Sequence, residues 1–294
     1  MSIESEFGEL TRPEAIAEWL SRKANWIRLS AMSMTHHARL GHTGGDLSSA
    51  DILATLFLGR VLRIDPANPQ WPKRDRFVMS KGHCSAAFYS TLASRGFFPI
   101  EQLKTFMDPL SMLNGHPDRN KLPGVEANTG PLGHGMPIAV GMALAARMKY
   151  ESWRVFVLVG DGELQEGSNW EAALTAAHYK LDNLCAIIDN NKLQITGPTS
   201  EVCNTDPIDT KFESFGWVVR HVDGHDLDAL KETFDELPFS KGKPSLIIAH
   251  TVKGKGISYM ENAVKWHHGV PDEKQYHDAL AELDSALITI PDDF

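Results

Sequence analysis

The sequence predicts an α/β fold with a doubly wound, mostly parallel sheet and helices on both of its faces. From Arg76 onward, short aliphatic runs bounded by Gly, Asp or Asn alternate with amphipathic stretches of helical length, an order that is typical of βαβ units. Two of the runs, VFVLV and LCAII, are apolar throughout, as strands covered on both faces are. Because no repeat, low-complexity tract or linker divides the sequence, we predict one domain over residues 1–294.

The individual elements follow from local signals. Pro13 opens a first helix that Gly41 ends, and residues 46–62 carry the apolar stripe of a second helix. Two long segments, 110–132 and 193–209, are rich in Gly, Pro, Asn and Thr without periodicity, and loops of this length are usually functional. The predicted strands are 77–80, 155–159, 184–189, 217–222 and 245–250, with helices beginning near Ser85, His134, Gln165 and Asp226.

The composition excludes several classes of function. The net charge is -9, from 29 Lys and Arg against 38 Asp and Glu, which argues against general attraction to nucleic acid or to an anionic membrane. Three scattered cysteines suit neither a disulfide framework nor a thiolate metal site, and they fit a reducing compartment. The acidic N-terminus, MSIESEFGELTRPE, lacks the apolar stretch of a secretory signal. We therefore expect a cytoplasmic protein with no nucleic-acid or membrane partner.

The strongest local motif lies at the end of a predicted strand, where VFVLV runs directly into Gly160-Asp161-Gly162-Glu163. Ligands of open α/β sheets bind at the carboxyl ends of strands. The two glycines let the backbone approach a phosphate closely, and Asp161 offers a hard oxygen to a cation such as Mg²⁺. Taken alone, Gly-Asp-Gly is also an ordinary turn sequence.

The next predicted strand supports the functional interpretation. It ends in Asn190-Asn191 after one helix of the right length for a crossover, so two consecutive strand ends would place Asp161 and Asn191 side by side. An Asp, an amide oxygen and a backbone carbonyl would form part of the octahedral oxygen shell that Mg²⁺ requires, and ligand phosphates would complete it.

These motifs resemble the thiamine-diphosphate signature, in which Gly-Asp-Gly is followed after 27 residues by Asn-Asn and binds diphosphate through Mg²⁺. From about residue 20 to residue 270 the sequence is similar to the N-terminal region of transketolases, with GHTGGDLSSAD, SKGH, GHPD, NTGPLGHG, GDGELQEG, KGKG and WHHG in the same order. The resemblance implies the diphosphate domain of the thiamine-diphosphate-binding fold. Its cofactors would be thiamine diphosphate and Mg²⁺, or another divalent cation such as Ca²⁺ or Mn²⁺.

The resemblance also implies roles for individual residues. Asp161, Asn191 and the carbonyl of Leu193 correspond to the metal ligands. Glu166 corresponds to a carboxylate between the two cofactor-binding halves and is grouped with the catalytic residues. The active-site histidines would be His42, His83, His116 and His267. The cofactor contacts would be His83, Gly130, Pro131, Leu132, Gly160, Asp161, Gly162, Glu163, Asn191, Lys253 and His267.

Histidines suit the chemistry that the resemblance implies. A transketolase moves protons on and off sugar hydroxyls while a carbon–carbon bond breaks, and imidazoles can do this. A single histidine more often caps a turn or hydrogen-bonds in the core, so only the joint motif match selects His42, His83 and His116. We expect structural roles for the unmatched histidines, which are His36, His37, His178, His221, His225, His250 and His277.

Three places depart from the family pattern. A GGD sequence at 44–46 stands where many full-length transketolases have Pro and Ser, and His134 stands where Gln is common. The WHHG sequence at 266–269 has one histidine more than the usual Trp-His-Gly. Ungapped spacing from the KGKG motif favours His267 as the active-site residue, whereas a shift of one residue would select His268.

The sequence ends at Phe294, where a full-length transketolase continues into its pyrimidine-binding and C-terminal domains, which contain the activating glutamate. We therefore expect the diphosphate-binding subunit of a split transketolase, active only with a C-terminal subunit that carries the pyrimidine domain, in two copies of each. It would transfer a two-carbon ketol unit from an anionic ketose to an aldose. The alternatives are a subunit of another thiamine-diphosphate enzyme, of the deoxyxylulose-synthase type or a dehydrogenase component, and a non-catalytic diphosphate-binding regulator.

Overall fold

The computed structural model describes residues 7, 8, 10 and 12–284 and arranges them as helices around a parallel sheet. No helix in these ranges combines the length and the hydropathy needed to cross a membrane. The elements are α1 (Pro13–Ala38), α2 (Thr43–Phe57), β1 (Arg76–Met79), α3 (Ser85–Arg95), α4 (Gly135–Met148), β2 (Val155–Gly160), α5 (Gly167–His178), β3 (Leu184–Asn190), β4 (Leu193–Gln194), β5 (Gly197–Pro198), α6 (Thr199–Val202), α7 (Ile208–Phe215), β6 (Val218–Asp223), α8 (Leu227–Asp235), β7 (Ser245–His250) and α9 (Glu273–Asp284). Further 3₁₀ helices span Ile100–Thr105, Gly162–Gln165 and Val264–His267.

The main sheet has the strand order β1-β2-β3-β7-β6, and every pairing in it is parallel. Strands β4 and β5 form a separate antiparallel hairpin. The predicted α/β fold is confirmed, and each predicted strand of the main sheet agrees with the structure to within one residue at both ends. The carboxyl ends of β1, β2, β3 and β7 therefore meet at one edge of the sheet.

Apolar side chains cover both faces of the sheet. Phe156 and Leu158 of β2 pack into a core with α1, α2, α3 and α8. Val155, Val157 and Val159 of the same strand pack into a second core with α4, α5 and α7. Because successive residues of a strand point to opposite faces, a strand between two helical layers must be apolar at every position.

Two predicted segments differ from the structure. The second helix spans Thr43–Phe57 rather than 46–62, because two glycines lie in its first turn and the whole helix is buried. A Cβ at Gly45 would lie 2.5 Å from a neighbouring sulfur atom, so close packing outweighs the low helix propensity of glycine here. Segment 193–209, predicted as an irregular loop, contains the β4–β5 hairpin and α6. Strands of two residues are too short to show an alternating pattern.

A third apolar cluster attaches the chain that follows β7. Ile257, Met260 and Trp266 pack against Leu29 and Met32 of α1, together with residues of α9. This packing gives the long segment between β7 and α9 a fixed position beside the N-terminus of α2. The packing thereby brings a part of the chain far along the sequence to the same edge of the sheet as the strand ends.

A buried polar network connects α1, α2 and the end of β7. Arg28 pairs with the Asp51 carboxylate and also donates to the carbonyl of Leu47 at 3.2 Å. His225 Nδ1 donates to Asp51 at 2.7 Å, and the Val252 N–H donates to His225 Nε2 at 2.8 Å. Burial alone would raise the pKa of Asp51, but Arg28 and His225 together lower it. Both ring nitrogens of His225 are therefore used in hydrogen bonds that join these parts of the fold, as expected of a structural histidine.

We expect the Asp51→Ala variant to lose about 3–5 kcal/mol of unfolding free energy, because it leaves the Arg28 guanidinium buried without a counter-charge. Denaturant unfolding of the purified chain measures this loss. The matched control is Asp235→Ala, which removes an exposed carboxylate that pairs with Lys231 and should cost less than about 1 kcal/mol. Equal losses in the two variants would contradict the prediction.

Candidate active site

The ends of β2 and β3 lie side by side, as predicted. Gly160 pairs with Asp189 in the parallel register, so the residues that follow the two strands are neighbours. Asp161 accepts the Lys192 N–H at 2.6 Å, and Asn191 accepts the Leu193 N–H at 3.1 Å. The structure therefore brings the Asp161 carboxylate and the Asn191 amide into one turn, with Leu193 as the next residue but one after Asn191.

Asp161 is a buried carboxylate without a cationic partner. It is 3% exposed and accepts the Gly162 N–H at 2.8 Å in addition to that of Lys192. Within the described ranges no lysine or arginine forms an ion pair with it. Burial and the nearby Asp189 raise the pKa of Asp161 to about 6. A cation placed here would relieve both effects.

A buried ion pair lies beneath this edge. Lys81, just after β1, pairs with Asp189 of β3, and both side chains are at most 3% exposed. Asp189 also accepts Ser48 Oγ at 2.7 Å and the Thr251 hydroxyl, and Lys81 donates to the Gly45 carbonyl at 3.2 Å. Burial alone would raise the pKa of Asp189, but Lys81 and these hydrogen bonds lower it to about 2. Sequence analysis missed this pair, although a charged residue in an otherwise apolar strand was a usable signal.

The four matched histidines lie around one space beside the ion pair. The ring centre of His42 is 4.9 Å from that of His83 and 5.9 Å from that of His267, and His83 and His267 are 5.5 Å apart. A Cβ at Gly130 would lie 3.0 Å from the His116 ring, so His116 packs against the loop predicted to line the cofactor. His268 also reaches the cluster, with its ring centre 4.7 Å from that of His42.

Burial keeps these imidazoles neutral. Burial and neighbouring positive groups lower the pKa of His42 to about 4 and that of His267 to about 3. The pKa of His83 is lowered far below its ordinary value by burial and Lys81, and burial lowers that of His116. In the chain alone these side chains are therefore neutral at pH 7. Each can donate at one ring nitrogen and accept at the other.

Lys253 connects the histidines to the predicted metal ligands. Its side chain is buried, and Nζ lies 3.0 Å from the Leu193 carbonyl oxygen and 2.9 Å from His267 Nδ1. Burial and the nearby Lys81 lower the pKa of Lys253. Because the ammonium donates to Nδ1, the proton of His267 sits on Nε2.

Glu163 braces the loop that precedes α4. Its carboxylate accepts the Gly133 N–H at 2.9 Å and the Gly160 N–H at 3.1 Å, and it also accepts from the Ser80 hydroxyl. Gly133 has a φ of +80°, and a Cβ there would lie 2.5 Å from the Cβ of Glu166. Both Glu163 oxygens therefore hold protein groups, which is a positioning role that sequence analysis did not foresee. Its assignment as a cofactor contact stays a prediction.

The remaining predicted residues surround the same space. In the adjoining loop Thr129 Oγ1 is buried and has no hydrogen-bond partner in the described chain, which leaves a polar atom for a ligand. Glu166 is exposed at the N-terminus of α5. Pro131 is exposed and Leu132 is half-buried. Among the residues that the structure describes, no three His, Cys, Asp or Glu side chains are grouped so that they could hold a metal ion by themselves.

Asp46 is a buried acid that the motif analysis did not assign. Oδ1 accepts the Ala87 N–H in the first turn of α3 at 2.8 Å, and Oδ2 has no partner in the described part of the chain. Burial raises the pKa of Asp46 to about 7, against a smaller opposing effect of the Ala87 hydrogen bond and Lys81. Asp46 thus positions the helix that follows His83. It also makes the free energy of unfolding depend on pH.

Comparison with known proteins identifies a family. Residues 20–283 match the family described as "Transketolase, thiamine diphosphate binding domain". The sequence is 44% identical over 270 residues to an apulose-4-phosphate transketolase subunit of Phocaeicola vulgatus, covering 92% of this chain and 95% of that protein. It is 42% identical over 265 residues to the 6-deoxy-6-sulfo-D-fructose transketolase subunit SqwG of Clostridium sp., covering 90% and 96%.

Solved structures agree with this result. The transketolase from Leishmania mexicana matches with a TM-score of 0.84 and 34% identity, covering 90% of this chain and 41% of that one. The transketolase from Campylobacter jejuni matches with a TM-score of 0.84 and 36% identity, covering 90% and 42%. This chain therefore spans about two fifths of the length of those solved transketolases.

We expect Asp46→Asn to stabilise the chain at about pH 8 by roughly 2–4 kcal/mol, because the amide keeps the bond to Ala87 without a buried charge. The folded-state pKa of Asp46, about 7, lies above its ordinary value of 3.8. The folded state therefore binds more protons between those values, and stability falls as the pH rises through them. Denaturant unfolding at about pH 5.5 and 8 measures both effects. The exposed Asp228→Asn variant should change neither, and an unaltered pH slope in Asp46→Asn would refute the assignment.

Proposed function

The chain belongs to the transketolase family, and on that premise we propose that it is the thiamine-diphosphate-binding subunit of a two-component transketolase. Such an enzyme transfers a two-carbon ketol unit from a ketose to an aldose acceptor. One observation carries the proposal, namely that His42, His83 and His267 converge at the sheet edge where Asp161 and Asn191 lie. Three relatives that match over nearly their whole length are named as transketolase subunits.

We propose that Asp161, Asn191 and the Leu193 carbonyl hold Mg²⁺, or Ca²⁺ or Mn²⁺ in its place. Three oxygens of these types suit a hard cation that takes its remaining ligands from phosphates and water. The unpaired, buried charge of Asp161 supports the assignment, because a divalent cation would neutralise it. Lys253 donates to the Leu193 carbonyl, and the second lone pair of that oxygen is left for the cation.

The cofactor contacts stay proposals residue by residue. Gly160 and Gly162 would let the backbone meet the diphosphate, and Gly130, Pro131 and Leu132 would line the aminopyrimidine ring. The unpartnered Thr129 hydroxyl in the same loop supports a polar ligand there. When bound, thiamine diphosphate supplies the electron sink for breaking and forming the carbon–carbon bond.

The histidines would bind and deprotonate the sugar. The neutral imidazoles of His42, His83 and His116 can accept protons from hydroxyl groups, and His267 is oriented by Lys253 with Nε2–H free to donate. The partial burial of His42, His83 and His267 would limit water near the reacting atoms and strengthen their hydrogen bonds. The relatives' names describe apulose-4-phosphate and 6-deoxy-6-sulfo-D-fructose, so we infer a ketose donor with an anionic end.

A partner polypeptide would cover the remaining side of the cofactor site. The relatives are named as subunits, which implies a second polypeptide in those enzymes. For this chain we propose a C-terminal subunit with the pyrimidine-binding domain, in a heterotetramer of two copies of each. Glu166 is exposed at the start of α5 and would meet that partner. On α4 and α5, Met148 is 73% exposed and Leu174 is 57% exposed, which supports an apolar contact there. A cytoplasmic location and the one-domain organisation also stay predictions.

We expect Asp161→Ala to weaken Mg²⁺-dependent binding of thiamine diphosphate by about 100-fold or more, because the cation loses its one carboxylate ligand. Calorimetry on the reconstituted complex measures the affinity. Asp206→Ala, which removes an exposed carboxylate near Lys192, is the matched control and should leave the affinity unchanged. Unaltered binding by Asp161→Ala would remove this residue from the metal site.

We expect the purified chain to show no ketol transfer with thiamine diphosphate, Mg²⁺ and sugars, and to become active when the C-terminal subunit is added. The reason is that the aminopyrimidine half of the cofactor has no partner surface in the isolated chain. The measurement is the rate of ketol transfer against added partner, after mass spectrometry has excluded contamination. Full turnover by the isolated chain would refute the two-component assignment.

A further inference from the structure

Two consecutive histidines, His267 and His268, both reach the His42 ring. The ring centres of His42 and His268 are 4.7 Å apart, closer than the 5.9 Å between His42 and His267. His267 is half-buried, whereas His268 is exposed. Both residues that the WHHG motif offered therefore lie beside His42, at different depths.

The segment that carries His268 is fixed on both sides. Trp266 is 3% exposed and its Nε1 donates to the Tyr259 carbonyl at 3.0 Å. On the other side of His268, the Thr43 hydroxyl donates to the Gly269 carbonyl at 3.2 Å. The backbone of His268 is thus tied to the start of α2, next to His42, so its place at the cluster is built into the fold.

Gly44 is what allows this close approach. A Cβ at Gly44 would lie 2.7 Å from the Trp266 carbonyl oxygen and 2.9 Å from Cγ of Lys253, so any side chain there would push the 266–269 segment away. The glycine at position 44 and the place of the 266–269 segment are therefore physically coupled. The absence of a side chain at Gly44 leaves room for the segment that brings the His268 imidazole beside His42.

The ring nitrogens of His268 are available to a ligand. Lys253 occupies Nδ1 of His267, but in the described part of the chain neither nitrogen of His268 has a hydrogen-bond partner. The imidazole faces the same space as His42 and lies at its exposed rim. His83 lies at the inner end, two residues after the buried Lys81.

We propose that His268 is a substrate-binding residue that hydrogen-bonds an oxygen of the sugar chain beyond the carbons that react. The inference rests on the proposed function, because it assumes that the sugar lies along the histidines from His83, past His42, to His268. With the reacting carbons near the inner end, the far part of the sugar reaches the rim. The oxygen contacted is a hydroxyl or belongs to the anionic end group.

The test uses the reconstituted complex of this chain with its C-terminal subunit. We expect His268→Ala to raise the KM for the ketose donor about tenfold, the effect of one lost hydrogen bond, with kcat changed less than about threefold. His268→Gln keeps a donor and should recover part of the loss. Thiamine diphosphate affinity should stay unchanged in both variants. His277→Ala, an exposed histidine on α9, is the matched control.

Ketose substrates with different end groups distinguish the two kinds of oxygen. A KM increase with phosphate- or sulfonate-ended ketoses alone identifies the anionic group, and an equal increase with neutral ketoses identifies a hydroxyl. A KM within twofold of the wild-type value for every donor would overturn the proposal. So would a parallel loss of thiamine diphosphate affinity, which would reveal a structural role. Absence of ketol transfer in the wild-type complex is a different result, and it would remove the proposed function and this inference with it.

Discussion

The buried ion pair between Lys81 and Asp189 sets the spacing of the whole site. It joins the end of β1 to the end of β3, and its hydrogen bonds to Ser48 and Thr251 add α2 and the end of β7. His83 follows Lys81 by two residues, and Asn191 follows Asp189 by two. A buried pair is tolerated only when its remaining polar atoms are satisfied. The hydrogen bonds that satisfy this pair therefore also hold the segment with His83 at a fixed distance from the segment with Asn191.

The charges of the site suit the binding of both an anion and a cation. Asp189 neutralises Lys81, which leaves the buried Lys253 ammonium and the buried Asp161 carboxylate as opposite charges without a direct ion pair between them. Burial disfavours each charge, raising the pKa of Asp161 and lowering that of Lys253. A diphosphate with its metal ion, as proposed here, would supply one counter-charge to each of them. The neutral imidazoles add hydrogen-bonding capacity without adding further charge.

Several glycines act in this structure by the absence of a side chain. Gly45 lies against Cys84, and Gly44 lies against the Trp266 carbonyl, so α2 approaches two other segments more closely than any other residue would permit. Gly133 combines a positive φ with close contact to Glu166, and Glu163 holds its N–H. The geometry of the candidate site depends on this tight backbone packing as well as on charged groups. A glycine-rich helix start that looks unfavourable by propensity is explained by that packing.

The sequence by itself determined the strands, the edge at which their polar ends meet, and the residues that match the family. These features are local, because the hydrophobic periodicity and the polar residues at strand ends can be recognised within segments of about ten residues. Only the tertiary structure decided that Lys81 pairs with Asp189 across 108 positions, and that His225 accepts from Val252 while it binds Asp51 174 positions away. It also decided that His267 and His268 share one site. Such contacts depend on which surfaces pack together, and no single segment of sequence carries that information.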